Sequence, residues 1–170
     1  MLPETSKLVD VRTSRVEDHV AAINDFVEAG YEVNVNFGPV ILKEGWVSDY
    51  AGLFGMLDSA LSQAAKAQLA EEVIFLTHTE ELHGVNLSWH PEGEKHLWRP
   101  ELQEYKRSQA SGDRVLRYER NLKRRLVANF RDLLSECLPY CRVRYAFRRH
   151  TRSGGCSRGR TIRRFLRVAL

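Results

Sequence analysis

The architecture of this chain follows from residues 31–42, which read Tyr31-Glu-Val-Asn-Val-Asn-Phe-Gly-Pro-Val-Ile-Leu42. Val33, Val35 and Phe37 alternate with polar residues, and this period of two is typical of a β-strand with one buried face. The pair Gly38-Pro39 interrupts the alternation, which predicts a bend or the end of the strand at that point.

Amphipathic helices are predicted on both sides of this strand. Upstream, Ser14 and Glu17 have the spacing of a capping box, and apolar residues recur at helical spacing over residues 16–27. Gly30 is placed as the left-handed residue that ends this helix. Downstream, a second helix is predicted to start at Gly45-Trp46. Its apolar residues share one face: Trp46, Tyr50, Leu53, Phe54, Leu57 and Leu61.

Farther along the chain the patterns are shorter. Residues 72–76 are a brief apolar run, which is typical of a buried strand. Residues 77–100 are rich in His, Trp and Gly and predict irregular structure. A short helix is predicted over residues 101–107, and residues 111–113 predict a turn.

The last predicted elements of the folded part are a helix and a strand. Apolar spacing predicts a long helix over residues 118–137, which Leu138-Pro139 ends, and residues 142–147 alternate as a last strand. Alternating helices and strands argue for an α/β fold with parallel strands and crossover helices. The first helix lacks a preceding strand and the sheet is small for this class, so the chain is expected to be part of a larger domain.

Charge is distributed unevenly along the 170 residues. Apolar residues make up 43% of the chain and charged residues 28%, as in ordinary globular domains. Residues 148–170 contain eight arginines and no acid, whereas residues 1–147 contain 18 basic and 22 acidic side chains. The tail over residues 148–170 is expected to be disordered or to be read through a shifted frame, with an arginine-rich RNA-binding arm as the alternative.

The sequence predicts a reducing, cytoplasmic setting. Three cysteines are too few for a disulfide scaffold. The amino terminus lacks the basic and apolar regions of a secretory signal, and no apolar run approaches the ~20 residues of a membrane helix.

Two groups of residues have spacings close to those of metal-binding motifs, but neither group matches a complete motif. Cys137 and Cys141 have CxxxC spacing, but the third position of an iron–sulfur signature is Arg144, so both cysteines are expected to pack in the core. Four histidines fall within 19 residues. No pair has the i, i+4 spacing of common zinc motifs, so exposed or hydrogen-bonded histidines are expected, with a metal site as the alternative. These histidines are His78, His83, His90 and His96.

Aromatic and basic residues are interleaved over residues 89–118. Trp89 and Trp98 are followed by Tyr105-Lys106-Arg107 and by Arg114 to Tyr118. On composition alone, a polar connector with aromatic anchors is expected. A nucleic-acid-binding surface is the alternative, since rings stack on bases and guanidinium groups bind phosphates.

Five separate strings of the sequence occur in a family-specific order. They are 26–41 (Phe-Val-Glu-Ala-Gly-Tyr-Glu-Val-Asn-Val-Asn-Phe-Gly-Pro-Val-Ile), Glu44-Gly-Trp46 with Asp49-Tyr50 and Leu53-Phe54, 72–78 (Glu-Val-Ile-Phe-Leu-Thr-His), Trp98-Arg-Pro100 with Lys106-Arg-Ser108, and 138–147 (Leu-Pro-Tyr-Cys-Arg-Val-Arg-Tyr-Ala-Phe). Together they resemble the carboxyl-terminal half of the spore photoproduct lyase-like family of radical S-adenosylmethionine (SAM) proteins, and the resemblance runs over residues 6–147.

The resemblance implies a lyase that repairs a thymine photoproduct in DNA with a 4Fe-4S iron-sulfur cluster and S-adenosyl-L-methionine, on a partial (β/α) barrel. The family's CxxxCxxC motif and its hydrogen-donor cysteine lie upstream of the matched region. Residues 1–147 are therefore expected to be the carboxyl-terminal part of the barrel, a fragment that binds no cofactor and is inactive alone. A non-catalytic nucleic-acid-binding module that uses residues 106–117 and 148–170 is the alternative function.

The resemblance also implies site residues on this chain. Asn36, Gly38 and Pro39 match a segment that lines the SAM site, where a glycine lets the backbone approach a ligand closely. Arg107, Arg114 and Arg117 lie in a stretch that matches a region contacting the lesion-bearing DNA, and Arg114 is the best candidate for a phosphate contact. No catalytic residue and no metal ligand is implied.

Overall fold

The computed structural model describes residues 2–10, 12–108, 112–145 and 165–169. Helices in these residues are α1 Pro3–Val9, α2 Val16–Glu28, α3 Trp46–Ala60, α4 Gln63–Gln68, α5 Glu80–Trp89, α6 Pro91–Leu97 and α7 Arg120–Cys137, with a 3-10 turn at Pro100–Leu102. Strands are β1 Glu32–Val40, β2 Ala70–Phe75, β3 Thr77–His78, β4 Gln103–Arg107, β5 Arg114–Tyr118, β6 Arg142–Tyr145 and β7 Phe165–Ala169. None of the described helices has both the length and the apolar character needed to cross a membrane.

The main sheet has four parallel strands in the order β6-β2-β1-β7. Strand β1 lies in the middle, with Phe37 opposite Val73 of β2. The strand continues to Val40, but its register against β2 shifts between Phe37 and Val40. The bend predicted at Gly38-Pro39 is therefore confirmed, as is the α/β class with parallel strands. The partial barrel stays a prediction.

Aromatic rings hold the helices on one face of this sheet. Phe130 of α7 lies 5.9 Å from Phe37 of β1, 5.5 Å from Phe54 and 5.1 Å from Tyr50 of α3, measured between ring centroids. All four rings are buried, as the apolar spacing of the two helices predicts. Because successive residues of a strand point to opposite faces, Asn34 and Asn36 lie on the face away from these helices.

The second sheet is antiparallel, in the order β3-β5-β4. Strands β4 and β5 form a hairpin, in which Gln103 lies opposite Tyr118 and Arg107 lies opposite Arg114. The backbone of Gly112 has a φ of +78°, in agreement with the predicted turn. Pairing with β5 makes residues 103–107 a strand, so the helix predicted over residues 101–107 is wrong beyond the 3-10 turn.

Three further predictions need correction. The side chain of Ser14 does not cap α2, which begins after Arg15 without a side-chain cap. Residues 77–100 are not irregular but contain α5, which Thr79 caps, and α6, which begins at Pro91. The tail predicted to be disordered contains β7, which pairs with β1. Residues 148–164 of that tail lie outside the described residues.

Candidate functional site

The residues assigned to the SAM site lie at the carboxyl end of β1. Asn36 and Gly38 are on the polar face of the main sheet, and Pro39 follows at the bend. The side-chain oxygen of Asn36 is buried and has no hydrogen-bond partner. Such an acceptor is unfavourable unless a ligand or water satisfies it, so it marks a place where a donor group fits.

Gly38 is required by the neighbouring strand. A Cβ atom at this position would lie 2.8 Å from Ile74 Cβ and 2.9 Å from Asn36 Oδ1. The close contact with β2 therefore explains the glycine without a ligand. The close approach of a ligand to Gly38 stays a prediction.

The polar face continues across β2 onto strand β6. Arg144 Nη1 donates a hydrogen bond of 2.9 Å to Asn34 Oδ1. In the β1–β2 register, Glu72 lies opposite Asn36. This face therefore presents amide, carboxylate and guanidinium groups beside the unpaired Asn36 oxygen.

The β4–β5 hairpin brings two of the three predicted DNA-contacting arginines together. Arg107 and Arg114 lie opposite each other and are exposed. The Arg114 guanidinium carbon lies 3.7 Å from the centroid of the Tyr105 ring, in a cation–π contact. Tyr105 is 41% exposed and donates a 2.6 Å hydrogen bond to Glu80 Oε1 of α5. The stack holds Arg114 in place at the surface.

Arg117 lies apart from this pair. It is opposite Glu104, on the other face of the hairpin, and its buried Nε has no hydrogen-bond partner. Beside it, burial and then the charge of Arg117 lower the pKa of Lys123 to about 8. The resemblance in sequence names Arg117 as a DNA contact, which stays a prediction, and does not single out Lys123.

A buried polar cluster formed by His78, His83 and Glu94 lies at the base of the hairpin, where β3 pairs with β5. Glu94 is 1% exposed, and its Oε1 lies 2.8 Å from His78 Nε2 and 2.5 Å from His83 Nδ1. Burial raises the pKa of Glu94, but hydrogen bonds from His83, Asn86 and His78 outweigh it, so the pKa is lowered. The prediction of hydrogen-bonded histidines is confirmed for these two.

Glu94 was not found from the sequence. It lies 16 residues from His78 and 11 from His83, on a helix that the sequence pattern did not predict. The other two histidines of the segment, His90 and His96, are exposed.

Cys137 and Cys141 are packed against the hydrophobic core, which confirms the packing prediction. Burial, and then the nearby Glu71 carboxylate, raise the pKa of Cys141 to about 12. This thiol is therefore protonated near neutral pH. A protonated thiol is a poor metal ligand, because metals bind the thiolate.

The four parallel strands and the helices packed on them define an α/β domain. In open sheets of this class, ligands generally bind at the carboxyl ends of the strands. The spore photoproduct lyase family model matches residues 5–147, and the chain belongs to that family. No protein of curated function matches the sequence.

Solved structures of spore photoproduct lyase share this fold. A double mutant with bound AdoMet and dinucleoside spore photoproduct matches with a TM-score of 0.69 and 24% identity, over 79% of this chain and 39% of that chain. A complex with dinucleoside spore photoproduct matches with the same values. The chain thus spans about two fifths of the length of these structures.

Proposed function

We propose that this chain is the lesion-binding part of a DNA photoproduct repair protein. The hairpin face that carries Tyr105, Arg107 and Arg114 contacts the DNA backbone beside the lesion. The carboxyl end of β1 faces AdoMet. Support comes from membership of the spore photoproduct lyase family and from solved relatives that hold the dinucleoside photoproduct.

The Arg114–Tyr105 stack is the observation that carries this proposal. It places a guanidinium over one face of a partly exposed ring, with Arg107 opposite Arg114 in the hairpin. Guanidinium groups bind phosphate oxygens through paired hydrogen bonds, and aromatic rings stack on unpaired bases. The face is therefore suited to a distorted site in DNA, where a phosphate and an unstacked base are reached together.

The residues at the end of β1 fit AdoMet in one respect. The unpaired Asn36 oxygen can accept a hydrogen bond from an amino or hydroxyl group of the ligand. AdoMet, when bound, supplies the radical chemistry of the family. On this chain, Asn36 would orient the ligand. The ring of the nearby Pro39 would restrict the backbone conformation at this end of the strand.

The described residues do not fit an iron–sulfur cluster. Such a cluster is held by cysteine thiolates. The part of the chain that the structure describes has two cysteines, Cys137 and Cys141, and both are packed against the core. We propose that the cluster ligands of the repair reaction come from outside this chain, and no step through the cluster is assigned to these residues.

Replacing Arg114 tests the DNA face. In the full chain, Arg114→Ala is expected to weaken binding of a fluorescent duplex about 5-fold, because one phosphate contact, worth about 1 kcal/mol, is lost. The slope of log affinity against log salt should fall by about 0.9. A salt titration by fluorescence anisotropy measures both quantities.

Arg131→Ala is the matched control, since Arg131 is an exposed arginine of α7 outside the hairpin. It removes the same charge and should change affinity much less. Equal losses in Arg114→Ala and Arg131→Ala would show that binding reports net charge only, and the hairpin would lose its assigned role.

A further inference from the structure

We propose that His78 Nε2, His83 Nδ1 and Glu94 Oε1 form a binding site for a divalent transition metal of the zinc type. The site goes beyond the proposed function and does not depend on it. Its three ligands come from three elements, β3, α5 and α6. Their ligand atoms all lie within 4.8 Å of one another.

The donor set and the distances suit zinc. Two imidazoles and one carboxylate are a known set of protein ligands for Zn²⁺, whose bonds of about 2.0–2.2 Å place tetrahedral ligand atoms roughly 3.3 Å apart. The two histidine nitrogens lie 2.8 and 2.5 Å from Glu94 Oε1. Small side-chain rotations of this metal-free arrangement would therefore admit an ion.

Neighbouring groups already hold the ligands in place. Asn86 Nδ2 donates a 2.7 Å hydrogen bond to Glu94 Oε2, which leaves Oε1 facing the histidines. The ring of Trp98 stacks on His83, with centroids 3.9 Å apart and an angle of 15° between the planes. Partners that orient metal ligands in this way raise metal affinity.

The cluster has a simple proton balance. The Glu94 carboxylate only accepts hydrogen bonds, so in the metal-free protein each facing histidine nitrogen carries its proton. To ligate, each facing nitrogen gives up that proton, to the other ring nitrogen or to solvent, and presents its lone pair to the metal. Metal binding changes no oxidation state. The ion occupies the space between the ligand atoms in which the two histidine protons lie in the metal-free protein.

The metal would brace the base of the hairpin. Three protein ligands leave one position for water or another small ligand, and the His83 side chain, 24% exposed, is the one nearest solvent. His78 lies on β3, which pairs with β5 of the hairpin. A metal bound to His78, His83 and Glu94 would therefore connect the hairpin to α5 and α6. Metal binding is therefore expected to stabilise the folded state.

Metal titration of the full chain tests the site. One equivalent of Co²⁺ should bind and give a spectrum of nitrogen and oxygen ligands without a thiolate charge-transfer band. His83→Gln and Glu94→Gln should weaken Zn²⁺ binding at least about 100-fold, and Asn86→Ala about 10–100-fold. A 100-fold excess of Zn²⁺ over its Kd should raise the Tm by about 5–10 °C.

The controls are His90→Gln and His96→Gln, which remove exposed histidines of the same segment and should leave Zn²⁺ affinity unchanged. If Glu94→Gln does not fold, His83→Gln still decides the outcome. The site is refuted if His83→Gln binds Zn²⁺ as tightly as the parent, if bound Co²⁺ shows thiolate ligation, or if the folded full chain binds no Zn²⁺.

Discussion

Glu71 lies on β2, opposite Val35 of β1, and is fully buried. Neither carboxylate oxygen has a hydrogen-bond partner. Burial, and then repulsion from Glu72, raise the pKa of Glu71 from 4.5 to about 7. A carboxyl group of this kind favours its neutral form in the folded protein, whereas the unfolded chain ionises it near its ordinary pKa.

The raised pKa of Glu71 predicts a pH-dependent stability. Between about pH 4.5 and pH 7 the folded state binds the proton and the unfolded state releases it, so the free energy of unfolding falls as pH rises through this window. Glu71→Gln removes that loss. It should therefore stabilise the protein by about 3 kcal/mol more at pH 8 than at pH 4.5, as measured by urea denaturation.

Glu81→Gln is the control for this measurement, because Glu81 is an exposed carboxylate on α5. It should show no such difference between the two pH values. If the stability of the Glu71→Gln variant follows the same pH curve as that of the parent, the pKa of Glu71 is not raised in the folded protein and the prediction is wrong.

At the scale of elements, a partly buried hydrogen bond links the hairpin to the segment that follows β1. The backbone amide of Leu42, which follows β1, donates a 2.7 Å bond to the hydroxyl of Tyr118 at the end of β5. Tyr118 is buried, and Glu119 next to it caps α7 by accepting from the amides of Asn121 and Leu122. The end of β5 thus sets the position of the hairpin relative to both β1 and α7.

Tyr118→Phe tests this link. The substitution removes the acceptor and leaves the Leu42 amide unpaired, so the free energy of unfolding should fall by about 1–3 kcal/mol. Tyr105→Phe removes a hydroxyl from the same hairpin, but that hydroxyl bonds an exposed carboxylate, and the change should stay within about 0.5 kcal/mol. Urea denaturation compares the two variants. Equal effects would contradict a special role for the partly buried bond between Leu42 and Tyr118.

At the scale of the whole molecule, β7 covers the edge of β1. Its backbone pairs in parallel from Glu32 opposite Phe165 to Asn36 opposite Ala169. An uncovered β1 would present unpaired amides and carbonyls to other chains. Residues 165–169 therefore take part in the sheet, and β1 becomes a central strand with neighbours on both sides.

The charge of the tail predicts how the whole chain binds DNA. Residues 148–164 contain seven arginines, while residues 1–147 have four more acidic than basic side chains. Replacing these seven arginines by glutamine keeps β7 and should remove most non-specific DNA affinity. The salt slope should fall by up to about 0.9 per arginine that contacts phosphate. Fluorescence anisotropy at several salt concentrations measures this, and an unchanged slope would place the binding charge in the hairpin.

The sequence predicted the elements that bury one face against the core. Apolar spacing predicts strand β1, helices α2, α3 and α7, and their buried residues. A strand or helix with one buried face repeats apolar residues at its own structural period. Arg107 and Arg114, which the resemblance named, lie opposite each other on the hairpin, and their contact with DNA stays a prediction.

The tertiary structure alone decided what depends on partners distant in the chain. Residues 103–107 form strand β4 because β5 pairs with them. Residues 165–169 form strand β7 because the edge of β1 has backbone groups with which they pair. The His78, His83 and Glu94 cluster forms only when β3, α5 and α6 meet, and no local spacing encodes that meeting. Apolar periodicity records how one element faces the core, whereas strand pairing and polar clusters depend on the free energy of contacts between elements.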